Sequence, residues 1–412
     1  MKKQQLFIFF IFVIVISCNK QKNEINTNFP FPQHSEYKGT YIIPNNYSQE
    51  ELDNFTIEFY DNWKKKYLKN NCEENQYYID YNEGNTINVS EGLGYGMMIT
   101  VIMAGYDSEA KTYFDGMFHF FEAHPSSINS NLMAWEQIDG CITNPNGGND
   151  AASDGDIDIA YALLLADKQW GSAGEINYLS KAKNIINAIM KDEINQETWT
   201  VKLGDWSNSD DPNFYYSTRP SDFITDHFRA FNIVNPNNNW DKVISSCYNL
   251  IENMQINYSA STGLMPDFII NTNTSAEPAN AQFLESNYDG HYYYNASRVP
   301  WRIATDYLTN GDIRAKLTLD KINNWIISET NGNTENISAG YYLNGTAIAD
   351  YNDLIFSGAF AVSAMTSNNQ IWLNNLYNEM INQNINDNGY FGNTLKMLYL
   401  ITISKNFWTI SS

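Results

Sequence analysis

Ala152-Ser153-Asp154-Gly155-Asp156-Ile157-Asp158-Ile159-Ala160, running on to Ala166 and Trp170, sets three carboxylates within five residues, directly ahead of an apolar helical run. Burying that many acids is costly unless each has a partner or a task. Acids at a helix start are also ordinary, because they suit the positive end of the helix dipole. Ser153 and Asp156 form an S-x-x-D pattern, which reads as a helix cap. Asp158 lies one turn beyond Asp154 and reads as structural. The local pattern leaves the role of Asp154 open.

The chain around this stretch has 412 residues, long enough for a large core. A net charge of −22 excludes a nucleic-acid partner, whose phosphates need a basic footprint. Aromatics reach 15%, with 28 Tyr and 10 Trp, enough to fill a core and still leave rings for stacking on sugars. At the N-terminus, Lys2 and Lys3 precede an apolar run from Leu6 to Ile16, which is short for a membrane span and suited to an export signal. Val15-Ile16-Ser17-Cys18 resembles a bacterial lipobox, which makes Cys18 the lipidation site. Residues 1–18 are therefore expected to be a lipoprotein signal peptide and residues 19–38 a flexible tether. The mature protein is expected to be exported, held to a membrane through the lipid alone, at the cell surface or periplasmic face. Cys72, Cys141 and Cys247 are an odd number without a C-x-x-C spacing, and read as small buried residues.

Helical signals dominate from residue 39 on. Ser48-Gln49-Glu50-Glu51 is a capping box, followed by Leu52, Phe55, Phe59, Trp63 and Tyr67 at helical spacing. Further helices are expected over roughly 91–105, 109–123, 156–169, 176–191, 221–234, 240–254, 298–309, 312–328, 354–366 and 370–383. No sustained strand alternation is visible, and no long linker divides residues 39–412, which read as a single domain and a monomer. The helices are too many for a four-helix bundle and pair naturally as hairpins. Their connections concentrate acids and aromatics, as on an active-site face.

The segment Ala152–Trp170 resembles the signature of glycoside hydrolase family 8, A-[ST]-D-[AG]-D followed by small and aliphatic residues and a closing aromatic. Ser90-Glu91-Gly92-Leu93-Gly94-Tyr95-Gly96-Met97 resembles the family's S-E-G-x-G-Y-G-M block. Gly204-Asp205-Trp206, Thr218-Arg219-Pro220-Ser221-Asp222-Phe223, Asp226-His227-Phe228 and Tyr294-Asn295-Ala296-Ser297-Arg298-Val299-Pro300-Trp301-Arg302 follow in family order. The resemblance implies an all-α (α/α)6 barrel, a six-hairpin toroid, and inverting endo-hydrolysis of β-1,4 linkages in a polysaccharide. It implies that Glu91 is the proton donor and that Asp154 contacts the sugar and presses on the donor's charge. An inverting pair stands about 6.5–9.5 Å apart with a water beside the base. The dipole of its helix would lower the pKa of Glu91, so burial or a neighbouring carboxylate must raise it.

One position departs from the larger family branch. Asn295 stands where that branch has an Asp base, and an amide cannot accept the proton. The sequence resembles a smaller branch of chitosanases and β-glucanases, which takes its base from a preceding loop. In Phe283-Leu284-Glu285-Ser286-Asn287-Tyr288-Asp289-Gly290, Glu285 is the expected base and Asp289 the reserve. Tyr294, Asn295 and Arg298 are expected at the substrate, the first and last supporting the water and the base. Trp135 and Trp206 are expected sugar platforms, with core packing the alternative for each. No cofactor and no metal are expected, since no HExxH or His/Cys cluster occurs. Chitosan or β-glucan/cellulose is the expected substrate. A xylan-active enzyme and an inactive surface glycan-binding lipoprotein are the alternatives.

Overall fold

Ser48 opens the first helix as its sequence demands: its hydroxyl accepts from the Glu51 amide, and the Glu51 carboxylate accepts from the Ser48 amide at 2.7 Å. The computed structural model describes residues 27–411, and twelve long helices follow one another within them. They are α1 (Gln49–Tyr67), α2 (Ser90–Ile102), α3 (Ala110–Ala123), α4 (Ser153–Trp170), α5 (Tyr178–Ala188), α6 (Thr225–Val234), α7 (Trp240–Asn257), α8 (Val299–Asn310), α9 (Ile313–Glu329), α10 (Leu354–Ala364), α11 (Gln370–Asn382) and α12 (Tyr390–Ile403). One further turn of helix occupies Pro212–Tyr215.

The even-numbered helices form the inner ring. α2 packs on α4, α4 on α6, α6 on α8, α8 on α10, α10 on α12, and α12 back on α2, so the ring closes. Each inner helix is backed by an outer neighbour: α12 by α1, α2 by α3, α4 by α5, α6 by α7, α8 by α9 and α10 by α11. This is the expected (α/α)6 barrel, and composition explains the division. Nearly every residue of α2, α4, α10 and α12 is buried, as befits helices apolar on all sides. The outer helix α1 buries one stripe, Leu52, Thr56, Phe59, Tyr60, Trp63 and Tyr67. Glycine lets α2 and α4 touch: a Cβ on Gly94 would lie 2.8 Å from the Asp158 Cβ, and one on Gly155 would lie 2.3 Å from the Ser90 Oγ.

Four expectations need correction. The last inner helix, Tyr390–Ile403, lies outside the helices expected from periodicity, because a helix buried on every side shows no apolar–polar repeat. Cys72 and Cys141 form a disulfide rather than standing as separate buried residues, and among the described cysteines Cys247 is left free and buried. Cys141 lies between the short strands Glu136–Ile138 and Ile142–Thr143, outside every expected helix, so the disulfide fastens the tip of a hairpin. Asp156 does not cap its helix with Ser153: α4 starts at Ser153 without a side-chain cap, and the Ser153 hydroxyl donates to the Lys202 carbonyl at 2.8 Å. Asp156 instead accepts the Met133 amide at 2.9 Å.

The fourth correction concerns the tether. Residues 27–38 lie packed on the barrel floor. Phe31 is buried, and the ring of Phe29 stacks on Trp408 at 4.5 Å. Amides along this strap donate to carbonyls at the C-terminal ends of inner helices: Asn28 to Gln169, Phe31 to Ala104, Ser35 to Lys405, Lys38 to Leu308 and, further on, Ile42 to Met365. The strap thereby satisfies helix-end acceptors that have no partner within their own helices. Residues 1–26, which include the expected signal peptide, Cys18 and the start of the expected tether, lie outside the described residues. Among those described, no helix is long and apolar enough to cross a membrane.

Candidate active site

The opposite end of the barrel gathers the N-termini of the inner helices. Glu91 is the second residue of α2, Asp154 the second of α4, and Arg298 immediately precedes α8. Two adjoining cavities open there, of about 600 and 490 Å³. Tyr81, Glu91, Glu285, Asn295 and Arg298 line both, so these residues form the junction. The larger cavity adds Trp135, Asp154, Trp206 and Arg219. The smaller adds Tyr294 and the acids Glu83, Asp353 and Asp387.

Arg298 is the centre of the Glu91 side. Its Nη1 donates to the Glu91 carboxylate, to Asp154 Oδ2 at 3.0 Å and to the Tyr95 hydroxyl at 3.3 Å. Its Nη2 donates to Ser221 Oγ at 3.1 Å and to Asn295 Oδ1 at 3.0 Å. The guanidinium side chain is only 2% exposed, so these contacts are made with little competition from water. Burial pushes Glu91 upward, Arg298 pulls it down, and the charge of Asp154 pushes it up again, leaving it at about 8. Burial works upward on Asp154 too, but Arg298 and then Arg219 outweigh it and leave that carboxyl below its ordinary value. One carboxyl thus keeps its proton at neutral pH while its neighbour stays ionised, the division of labour an acid donor requires.

Glu285 lines the same junction from a loop, its side chain 45% exposed. Asn295 Nδ2 donates to its Oε2 at 2.7 Å and Arg219 Nη2 to its Oε1 at 2.9 Å. Asp289 is fully buried beneath that loop. Its carboxylate accepts from the amides of Leu284 (2.7 Å), Glu285 (3.0 Å) and Ser286 (2.8 Å), and from the Ser286 hydroxyl (3.1 Å). So engaged, Asp289 organises the loop and lines neither cavity. Asp267 does the same for the Asn295 turn, accepting from the amides of Tyr293 at 3.1 Å and Ala296 at 2.7 Å. Burial raises this carboxyl to about 8.

Of the other residues singled out in the sequence, Trp135 and Trp206 are half-buried, their remaining surface in the larger cavity. The indole N–H of Trp135 donates to the Gly147 carbonyl at 2.8 Å. The Tyr294 hydroxyl donates to Asp353 at 3.3 Å, in the smaller cavity. Asp158 is bound to Arg302 through two bonds, of 3.0 and 2.6 Å, and lies 3.1 Å from His227, beneath the cleft. No group of three or more His, Cys, Asp and Glu side chains able to hold a metal occurs among the described residues. Tyr81 and Asp150, which line the larger cavity, and Asp267 carry no signal in the sequence, and Arg219 stands in a family-like block without a role. Arg219 had a signal, a cation in a loop block beside an acid, but its partner lies 66 residues away.

The family model of Glycosyl hydrolases family 8 matches residues 48–405. A β-glucanase of Niallia circulans is 47% identical over 383 residues, covering 93% of this chain and 92% of the relative. An endoglucanase of Bacillus sp. (strain KSM-330) is 42% identical over 389 residues, covering 92% and 81%. The apo structure of a β-1,3-1,4-glucanase from Paenibacillus sp. X4 superposes with a TM-score of 0.89 at 46% identity, over 93% of this chain and 100% of that one.

Proposed function

This chain belongs to glycosyl hydrolase family 8 and is a glycoside hydrolase; from that premise we propose that it cleaves a mixed-linkage β-glucan internally, with inversion at the anomeric carbon. The observation that carries the chemistry is the junction itself, which Glu91, its carboxyl raised to about 8, lines together with the carboxylate of Glu285. Glu91 gives its proton to the glycosidic oxygen as the C–O bond breaks. Glu285 takes a proton from the water that attacks the anomeric carbon from the other face. Asp154 binds the sugar at the cleaved bond, and its negative charge keeps Glu91 protonated. Trp135 and Trp206 offer ring faces to sugar units along the larger cavity, and Tyr294 with Asn295 and Arg298 borders the bond to be broken. Asn295 belongs to the smaller branch's pattern, in which the base comes from the preceding loop.

The glucan assignment draws on the two relatives whose names describe glucan cleavage and on the structure of the glucanase from Paenibacillus. A second reading, chitosan, is favoured by Glu83, Asp353 and Asp387, which give the smaller cavity an acidic wall suited to protonated amino sugars. We further propose that residues 1–18 direct export and that Cys18 carries a lipid. The test incubates residues 27–412 with barley β-glucan, carboxymethylcellulose, chitosan and xylan, and reads reducing ends and the anomer first released. Fastest release from barley β-glucan with an α-anomer first is the expected result. Preference for chitosan moves the substrate to amino sugars, preference for xylan to pentosans, and a β-anomer first overturns the inverting mechanism.

A further inference from the structure

Glu285 has a weakness as a base: it stands on a loop and is nearly half exposed, whereas a base must be held within a fraction of an ångström of its water. Each of its carboxylate oxygens nevertheless has a donor, and both donors are themselves tied to other groups. Arg219 is 12% exposed, lies 3.8 Å from Asp222, and covers the ring of Phe268 at 5.2 Å. Asn295 sits on a turn pinned by Asp267. Its amide can point only one way. Arg298 can only donate, so it must meet Asn295 Oδ1, and a carboxylate can only accept, so Glu285 must meet Nδ2.

We propose that Arg219 and Asn295 are positioning residues that clamp Glu285 from its two sides. The proposal rests on Glu285 being the base. Asn295 in this view is no remnant of a lost Asp base. It is an adaptor, donating to Glu285 while accepting from the arginine that holds Glu91. An Asp at the same position would set a second negative charge against Glu285 and break the bond that Nδ2 makes. At Arg219, the planar guanidinium bridges Glu285 and Asp222 at once, which a lysine point charge can only partly replace.

The test measures kcat and KM separately on barley β-glucan, with the thermal midpoint as a check on folding. Glu285→Gln is expected to lose about 10³-fold in kcat, the scale of general base catalysis. Arg219→Gln is expected to lose about 30-fold in kcat with KM within twofold, and Arg219→Lys to recover part of that loss. Asn295→Asp is expected to be slower than Asn295→Ala, even though it restores a carboxylate at that place. In the Glu285→Gln background, Arg219→Gln is expected to cost less than about threefold more, because a residue acting through Glu285 has nothing left to hold. Near-wild-type activity of Glu285→Gln overturns the base assignment and the clamp with it. Loss at Glu285 with independent, multiplying losses at Arg219, or an Asn295→Asp enzyme as fast as wild type, overturns the clamp alone. Should Arg219→Gln fail to fold, the Asn295 pair decides the matter.

Discussion

The Glu91 wall of the cleft is built from helix ends and the Glu285 wall from loop, and the two solve the same positioning problem by different means. Glu91 and Asp154 each occupy the first turn of an inner helix, and those helices touch through Gly94 and Gly155. Their placement follows from backbone that is buried and locally ordered. Glu285 gains its placement from other side chains: Asp289 of its own loop beneath it, Arg219 and Asn295 beside it. A wall of helices resists single substitutions in its surroundings, whereas a wall of loop depends on each of its pins.

The difference can be broken or sharpened in order of effect. Glu91→Gln should cost about 10³-fold in kcat with the fold intact, since the helix persists and only the proton is lost; retained turnover on β-glucan would remove the helical wall from the chemistry. Asp154→Asn should cost less and leave a signature. In wild type the activity should fall as pH rises through about 8, where Glu91 gives up the proton it must donate. Removing the Asp154 charge lowers the Glu91 pKa, so that alkaline limb should move to lower pH; an unmoved limb would show that Asp154 does not tune the donor. On the loop wall, Asp289→Ala should lower kcat about tenfold and unfolding free energy by about 3 kcal/mol, because several amides lose a charged acceptor. Denaturant titration alongside kinetics would check this, and full activity would mean that the loop needs no pin.

Two smaller effects test the cleft's edges. Replacing Cys72 and Cys141 by Ala should cost about 4 kcal/mol of stability, given their sequence separation of 69. Turnover at 25 °C should change little, because the disulfide lies at a hairpin tip rather than at the junction. Trp135→Ala should raise KM for the polymer several-fold with kcat nearly constant, as expected for a binding platform; a fall in kcat alone would place Trp135 in the reaction instead.

The same contrast governs what the sequence revealed. Glu91 and Asp154 lie in continuous blocks whose glycines, small residues and acids all serve one helix contact, so reading along the chain suffices. Glu285 was reached indirectly, from the amide at Asn295. Asp289 and Asp267 were not recognisable as pins, because an acid beneath a loop looks like any loop acid until its amide partners are seen. Asp267 meets the Ala296 amide 29 residues away. Asp156 departs from the S-x-x-D pattern for the same reason: the Ser153 hydroxyl meets the Lys202 carbonyl and Asp156 the Met133 amide, both distant in sequence. The disulfide was hidden by an odd cysteine count that, once one pair forms, simply leaves Cys247 over.

The strap over the barrel floor gives the molecule a direction. Residue 27 enters at the face carrying the C-termini of the inner helices, and the cleft lies at the other end. Nine residues' worth of chain from Cys18 to that entry spans at most roughly 30 Å. With a lipid on Cys18, the barrel would stand on its floor close above the bilayer, mouth outward. A polymer approaching from outside would meet the open cleft first, and the short stem would limit the enzyme to chains that come to it.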